Sequence, residues 1–468
     1  MKMVRRQFLH FAGAATAFFA PPYVVRAQAQ APRIGAPPTR SAQDRLEEAL
    51  ARIADPNGEG SRACLTVYAQ AARAAADAAD ARARIGTNLG PLDGAIVTIK
   101  DLFDVAGEPT RAGSKVLADA PPATTDAPAL RRLRAGGAVI VAKTNMTEFA
   151  FSGVGANPHY GTPGNPADRM RVPGGSSSGA AVAVADGMCE IAIGSDTGGS
   201  TRVPAALCGV VGYKPTKSRV PTEGAFPLSY TLDSVGPIAR SVAACAAADA
   251  VWPATIPGHW NLSRYRACGS AFPRDSRSAA SIRRSRHNFP TRPRSSAEPA
   301  CACPTRCFRF LTTWYASIPR RRSRWPSPGR SIRERLATRA ADYDPFVRPR
   351  IEAGRTLSAA DYMAMLRDRT VLVRAMDARL SDLDALALPT TPIVAPTIAE
   401  VSSSEGFTAK NALVLRNPAI ANFFDLCAIS LPLPRAGGLP VGLMLVARNG
   451  HDRRLFRMAA AVERLFAG

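Results

Sequence analysis

Gly94-Ala95-Ile96-Val97-Thr98-Ile99-Lys100 is the stretch on which the fold turns. Its small, apolar and β-branched residues run on without polar alternation, which describes a strand covered on both faces. Gly137-Ala138-Val139-Ile140-Val141-Ala142 repeats the pattern, and Thr125 to Ala135 between them reads as a helix. Ile191-Ala192-Ile193-Gly194 is a third strand, preceded by a small apolar helix over 180–188. Further strands are expected over 385–388, 428–432 and 441–446, and an amphipathic helix over 451–466. Residues 41–82 mix Ala, Arg, Glu and Leu at helical spacing behind a capping Ser41, and residues 160–178, rich in Gly, Pro, Asn and Ser, read as a loop. Strands alternating with helices predict an α/β layered fold with a largely buried sheet.

The chain has 468 residues, within reach of one large α/β domain. Apolar residues make up 46% and charged residues 21%, a globular composition rather than a disordered one. No run of 18 apolar residues occurs, so no membrane span is expected. The formal net charge of +23 raises nucleic acid or an anionic surface as a partner. That charge is concentrated: residues 253–330 hold 16 Arg, no Lys, and only Asp275 and Glu298 as acids.

The same window lacks valine and holds ten prolines and eleven serines. Four of the nine cysteines, Cys268, Cys301, Cys303 and Cys307, also fall there, and the odd total gives no disulfide framework. Such enrichment in Arg, Pro, Ser, Cys and Trp is what a GC-rich gene yields when read out of frame. Residues 253–335 are therefore expected to be frameshifted translation, the rival being a genuine basic insertion that binds nucleic acid or a membrane surface. Residues 1–30 read as an export signal. Arg5-Arg6-Gln7-Phe8-Leu9 resembles a twin-arginine motif, an apolar run follows from Phe11 to Ala20, and Ala27-Gln28-Ala29 suits a signal peptidase. A periplasmic location follows, with the cytoplasm as the alternative. The remaining organisation is 31–252 and 336–468 as two parts of one domain.

Three short motifs carry chemistry. Lys100 ends an apolar strand, where burial disfavours its charged form; alone, it reads equally as a lysine that snorkels to water. Gly174-Gly175-Ser176-Ser177-Ser178-Gly179 offers hydroxyls at a helix start, or a plain cap or linker. Gly194-Ser195-Asp196-Thr197-Gly198-Gly199-Ser200-Thr201-Arg202 is a Gly-rich turn whose amides form an anion cavity. A phosphate loop would require a lysine after the glycines, and none is present. Asp196 and Arg202 flank the turn and could brace it or form a solvated pair. The five histidines sit in no motif, which disfavours a Ser-His-Asp triad. No credible metal-ligand spacing occurs.

Together, in this order, the motifs resemble the amidase signature family, in which a Lys, a Ser in a cis peptide bond and a nucleophilic Ser act together, the serines 24 positions apart. Ser176 and Ser200 have that spacing. The resemblance extends over Lys143-Thr144-Asn145-Met146-Thr147-Glu148-Phe149, Asn165-Pro166, Gly209 to Thr216 and Asp233-Ser234-Val235-Gly236-Pro237. It resumes at Asp342-Tyr343-Asp344-Pro345 and runs through Leu388 to Pro392 and Gly438 to Gly442. It implies a single large domain, a mixed twisted sheet surrounded by helices with the site in loops at one edge. It also implies Ser200 as nucleophile, Ser176 and Lys100 as proton carriers, and Thr197, Gly198, Gly199 and Ser200 as oxyanion hole, with Ser177, Asp196 and Arg202 in support. The activity implied is hydrolysis of a small-molecule amide to a carboxylate plus ammonia or amine. No cofactor, metal, nucleic acid or membrane is expected to take part. The alternatives are the ammonia-supplying component of a tRNA-dependent amidotransferase, and an inactive or non-catalytic basic binding protein.

Overall fold

In the computed structural model, residues 40–252, 328–434 and 437–467 are described. The expected export signal lies outside them, as do residues 253–327 of the anomalous stretch. Among the described residues, nine strands form one mixed sheet: β1 (Cys64–Val67), β2 (Ile96–Lys100), β3 (Val139–Thr144), β4 (Ile191–Asp196), β5 (Val211–Lys214), β6 (Ser234–Ala239), β7 (Leu386–Pro389), β8 (Cys427–Pro432) and β9 (Gly442–Ala447). Their order across the sheet is β1-β3-β2-β4-β6-β5-β8-β9-β7. The helices that cover it include α1 (Ala42–Ala54), α2 (Ala69–Arg84), α3 (Pro128–Ala135), α4 (Ser178–Ala185), α5 (Arg202–Cys208), α6 (Val242–Ala250), α7 (Ala359–Arg379), α8 (Ser404–Arg416), α9 (Pro418–Phe423) and α10 (Asp452–Ala467).

The central strands are the apolar runs of the sequence, and all five residues of β2 are buried. Val97 and Ile99 join a core built with α3, α6 and α10. Ile96 faces the other way, into a core built with α1, α2 and α4. An apolar strand with both faces packed is the arrangement parallel pairing demands, and β2 runs parallel to both β3 and β4. Every other pair is antiparallel.

The structure corrects several expectations. The stretch 41–82 is two helices separated by the short segment Gly60–Ala63 and by β1, whose Cys-Leu-Thr-Val grades from buried to exposed and carries no strand signature between Ala-rich neighbours. Strand β6 contains both Gly236 and Pro237, residues that argue against a strand by pattern. Gly236 is there because a Cβ would lie 2.1 Å from the Tyr213 carbonyl oxygen on the neighbouring strand. The site itself lies where expected, in loops at one edge of the sheet, at the carboxyl ends of β2 and β4.

Helix α4 packs on β2 and β4 and carries the serine motif at its start. Gly179 in its first turn touches the backbone beneath: a Cβ would fall 2.3 Å from the Ala63 carbonyl oxygen and 2.7 Å from the Asn145 nitrogen. Backbone cannot yield as a flexible side chain does. Gly179→Ala is therefore expected to destabilise the protein by about 1–3 kcal/mol, read as a lower midpoint in denaturant unfolding.

Candidate active site

Because β2 and β4 are parallel neighbours, their carboxyl ends emerge side by side, bringing Lys100 next to Ser195. Lys100 is wholly buried, and its Nζ lies 2.7 Å from Ser176 Oγ and 2.9 Å from Ser195 Oγ in hydrogen bonds. Burial disfavours the ammonium and brings this lysine down to about 7, against the opposing pull of the Asp196 and Asp233 charges. The snorkelling alternative is thereby excluded.

Ser176 follows Gly175 through a cis peptide bond. The serine turn is threaded through its neighbours: Gly175 N–H donates to the Gly153 carbonyl at 2.8 Å, and the Ser176 carbonyl accepts from Thr147 N–H at 3.0 Å. A Cβ on Gly175 would lie 2.8 Å from Gly155 Cα, so glycine is required by close approach. Ser177 is the residue before α4, yet its hydroxyl makes no capping bond and reaches the Ser195 carbonyl at 3.4 Å. Its N–H donates to the Ser200 carbonyl at 3.3 Å, tying the two serine turns together.

The turn bearing Ser200 is built around Asp196. This carboxylate accepts Arg202 Nε at 3.0 Å and Nη2 at 2.9 Å, Asn422 Nδ2 at 2.8 Å, Thr201 Oγ1 at 2.8 Å, Thr201 N–H at 3.1 Å and Gly199 N–H at 2.9 Å. Both Asp196 and Arg202 are fully buried, so this is no solvated pair. Burial alone would raise the Asp196 carboxyl; the charge and hydrogen bonds of Arg202, with Asn422, outweigh it and hold the carboxyl well below the usual carboxylate range. Arg202 is fixed in turn by the Pro418 carbonyl and Asn422 Oδ1 from α9, at 3.0 and 2.7 Å. The Gly199 N–H was expected in the oxyanion hole. It is directed instead into the Asp196 carboxylate, because that carboxylate sits inside the turn and needs donors there.

Beside this turn opens a cavity of about 190 Å³, walled by Leu102, Ala150, Thr197, Phe226, Leu228 and Tyr230 among others. Buried Asp233 also lines it. Its Oδ1 accepts the Thr197 hydroxyl at 2.5 Å, and its Oδ2 accepts the Leu228 and Ser229 N–H groups, both at 2.9 Å. Burial raises Asp233 to about 6 against the opposing hydrogen bonds. Among the described residues no group of three or more His, Cys, Asp or Glu is arranged to hold a metal ion.

The structure thus gathers Lys100, Ser176, Ser177, Asp196 to Ser200 and Arg202 at one place. Sequence reading did not single out Ser195, Asp233 or Asn422. Ser195 and Asp233 stand inside quoted motifs, whereas Asn422 stands in none and is recognisable only from its contacts. His159 contacts buried Glu148 at 2.8 Å, and Glu148 also accepts Ser114 Oγ at 2.6 Å and Asp344 N–H at 2.8 Å. This histidine therefore helps fasten the returning chain at Asp344.

The family model named Amidase matches residues 44–266 and 311–456. A 2-amino-5-chloromuconic acid deaminase of Comamonas testosteroni is 35% identical, over 84% of this chain and 86% of its own. One component of the glutamyl-tRNA(Gln) amidotransferase of Anaeromyxobacter sp. (strain K) is 35% identical over 91% of this chain and 93% of its own. The solved peptide amidase of Stenotrophomonas maltophilia is similar with a TM-score of 0.70, 27% identity, and 92% and 94% of the two chains covered. The chain belongs to the amidase family. By that membership it is a hydrolase acting on amide bonds.

The ion pair under the nucleophile turn gives a direct prediction. Arg202→Met would leave Asp196 buried without its cation, at a cost of about 3–5 kcal/mol. A shift of the thermal or denaturant midpoint measures it, and Asp196→Asn together with Arg202→Met should recover part of the loss.

Proposed function

We propose that the protein hydrolyses a small carboxylic amide through an acyl-enzyme on Ser200. The observation that carries this reading is a fully buried lysine, brought down to about 7, in hydrogen-bond contact with Ser176 beside the Ser200 turn. Neutral Lys100 takes the Ser176 hydroxyl proton as Ser176 takes that of Ser200. Ser200 Oγ bonds to the amide carbon, and the carbonyl oxygen becomes an oxyanion. The amides of Thr197, Gly198 and Ser200 are the donors assigned to that oxyanion, with Gly199 shaping the turn. The C–N bond then breaks as the proton returns through Ser176 to the leaving nitrogen, and water attacks the ester to release the carboxylate. The cavity size favours a compact acyl group.

The tRNA-dependent alternative rests on the similarity to amidotransferase components. The same triad chemistry would serve it, with a glutamine amide as ammonia source, so the simpler hydrolysis is preferred.

We also read residues 253–335 as out-of-frame translation. Composition supports this; the family match leaves residues 267–310 unmatched but covers 253–266 and 311–335, and Pro328–Thr338 is helical with Ile332 in the core, so the support is confined to the middle of the stretch. Translating the gene in all frames across codons 250–345 should return amidase-like sequence in another frame. A unique open frame with no such sequence would end this reading.

Two outcomes are expected from kinetics on a simple amide such as benzamide. Ser200→Ala should abolish turnover and acyl-enzyme formation, detected as loss of the acylated mass, because a concerted nucleophile is not partly replaceable. For the pH profile the sign follows from which form works: the base must be neutral, and the neutral fraction grows as pH rises through the lysine's midpoint. Activity should therefore climb through about pH 7 and level off above it. Lys100→Ala should lose most activity and the climb with it. An unchanged profile in that variant would assign the base elsewhere.

A further inference from the structure

Lys100 must hold a positive charge during each turnover, deep in a buried site. Two carboxylates act on it by charge, Asp196 and Asp233. Asp196 is already matched by the Arg202 guanidinium at 2.9 Å, and buried Lys214 of β5 adds a second positive charge acting on it. Asp233 differs: its three hydrogen-bond partners are one hydroxyl and two backbone amides, none of them a cation. Among the described residues its negative charge is therefore not cancelled locally. The polar atoms in contact with the Lys100 amine are neutral, the Ser176 and Ser195 hydroxyls.

Asp233 also has a mechanical connection. One oxygen holds the Thr197 hydroxyl, at the entrance of the turn that carries Ser200. The other holds the backbone of Leu228 and Ser229, and Leu228 lines the cavity. Strand pairing fixes it there, since Asp196 faces Ser234 across β4 and β6. Three neutral donors thus hold both oxygens of the carboxylate in place without discharging it.

Resting on the amidase reading above, we propose that Asp233 is a positioning residue of the reaction: it supplies the fixed negative charge that balances Lys100 when the lysine carries the relayed proton, and it tethers the nucleophile turn to the cavity wall. When Ser200 bonds to the amide carbon, the proton it gives up ends on Lys100 through Ser176. The intermediate then holds an oxyanion at the turn and an ammonium at Lys100. Asp233 stabilises the ammonium without touching a reacting atom.

Two variants separate charge from tether. Asp233→Asn keeps the shape and removes the charge. Its plateau kcat on benzamide should fall by about tenfold or more while KM stays within about threefold. The acid limb of kcat should move to lower pH by about half a unit or more, because loss of a nearby anion disfavours the ammonium. Thr197→Val keeps the charge and removes the tether, and should lower kcat with the acid limb in place. An Asp233→Asn limb that stays or moves upward overturns the proposal, as does an equal movement in Thr197→Val. If Asp233→Asn does not fold, judged by circular dichroism, Asp233→Ser deletes the same charge. If neither the unaltered full chain nor a frame-corrected chain shows Ser200-dependent turnover, it is the amidase reading that fails. The charge relation is still decided by carbon-13 NMR titration of the lysine side chains, with Lys100 assigned from Lys100→Met. Its midpoint must drop in Asp233→Asn, and an unmoved midpoint overturns the proposal.

Discussion

Taking a lysine ammonium out of water costs several kcal/mol unless charge or hydrogen bonds replace the solvent. Lys100 meets that constraint through a midpoint brought down to about 7, above which the neutral form prevails, and by lying between two hydroxyls. The surrounding architecture is arranged to keep it so. β2 is packed on both faces and paired on both sides, leaving the side chain no route to water. Parallel pairing of β2 and β4 places Lys100 and Ser195 at the same end of the sheet. It also requires a long crossover, and the chain uses that crossover for β3, the Thr147 to Gly155 turns and the serine motif that delivers Ser176.

Charge around the relay is layered rather than pooled. Asp196 and Arg202 neutralise each other beneath the Ser200 turn, and buried pairs of this kind add little net stability. Their geometry matters more than their energy. A carboxylate that collects Gly199 N–H, both Thr201 donors, Arg202 and Asn422 can have only one position, so it fixes the curvature of the turn. Asp233, one strand over, keeps its charge uncompensated and closer in effect to Lys100 than to any cation of its own. One carboxylate shapes and the other polarises because one has a guanidinium and the other has only neutral donors.

Much of this was legible in residues. The covered strands showed as unbroken apolar runs, and Lys100, Ser176 and Ser200 stood in short motifs of fixed spacing and order. Strand β1 was hidden because four residues that grade from buried Cys64 to exposed Val67 between Ala-rich helices carry no period. Strand β6 was hidden because Gly236 answers to the close approach of a neighbour's backbone rather than to a strand preference, and Pro237 beside it argues against a strand by pattern. Asn422 was beyond reach because a lone Asn has no pattern, and its meaning comes from Asp196, 226 residues earlier in the chain. The Gly199 amide was misassigned for a related reason: a Gly-rich turn announces available N–H groups but not which way each one points.

The last of these dependences links the two halves of the chain. Lys100, both serines and both carboxylates precede residue 253, yet they do not form a site by themselves. Arg202 is held by Pro418 and Asn422 of α9. Gly199 approaches Pro418 so closely that a Cβ would lie 2.5 Å from the Pro418 Cβ. Strand β5, which follows the nucleophile helix α5, is paired on its outer side by β8 at Gly212–Ser430, Tyr213–Ile429 and Lys214–Ala428. The later half therefore acts as the mould against which the Ser200 turn is pressed. A chain cut after residue 252 would retain every group of the relay, but would expose Arg202 and the far edge of β5 to water. The ion pair would then lose the low-dielectric setting that gives it its directional strength.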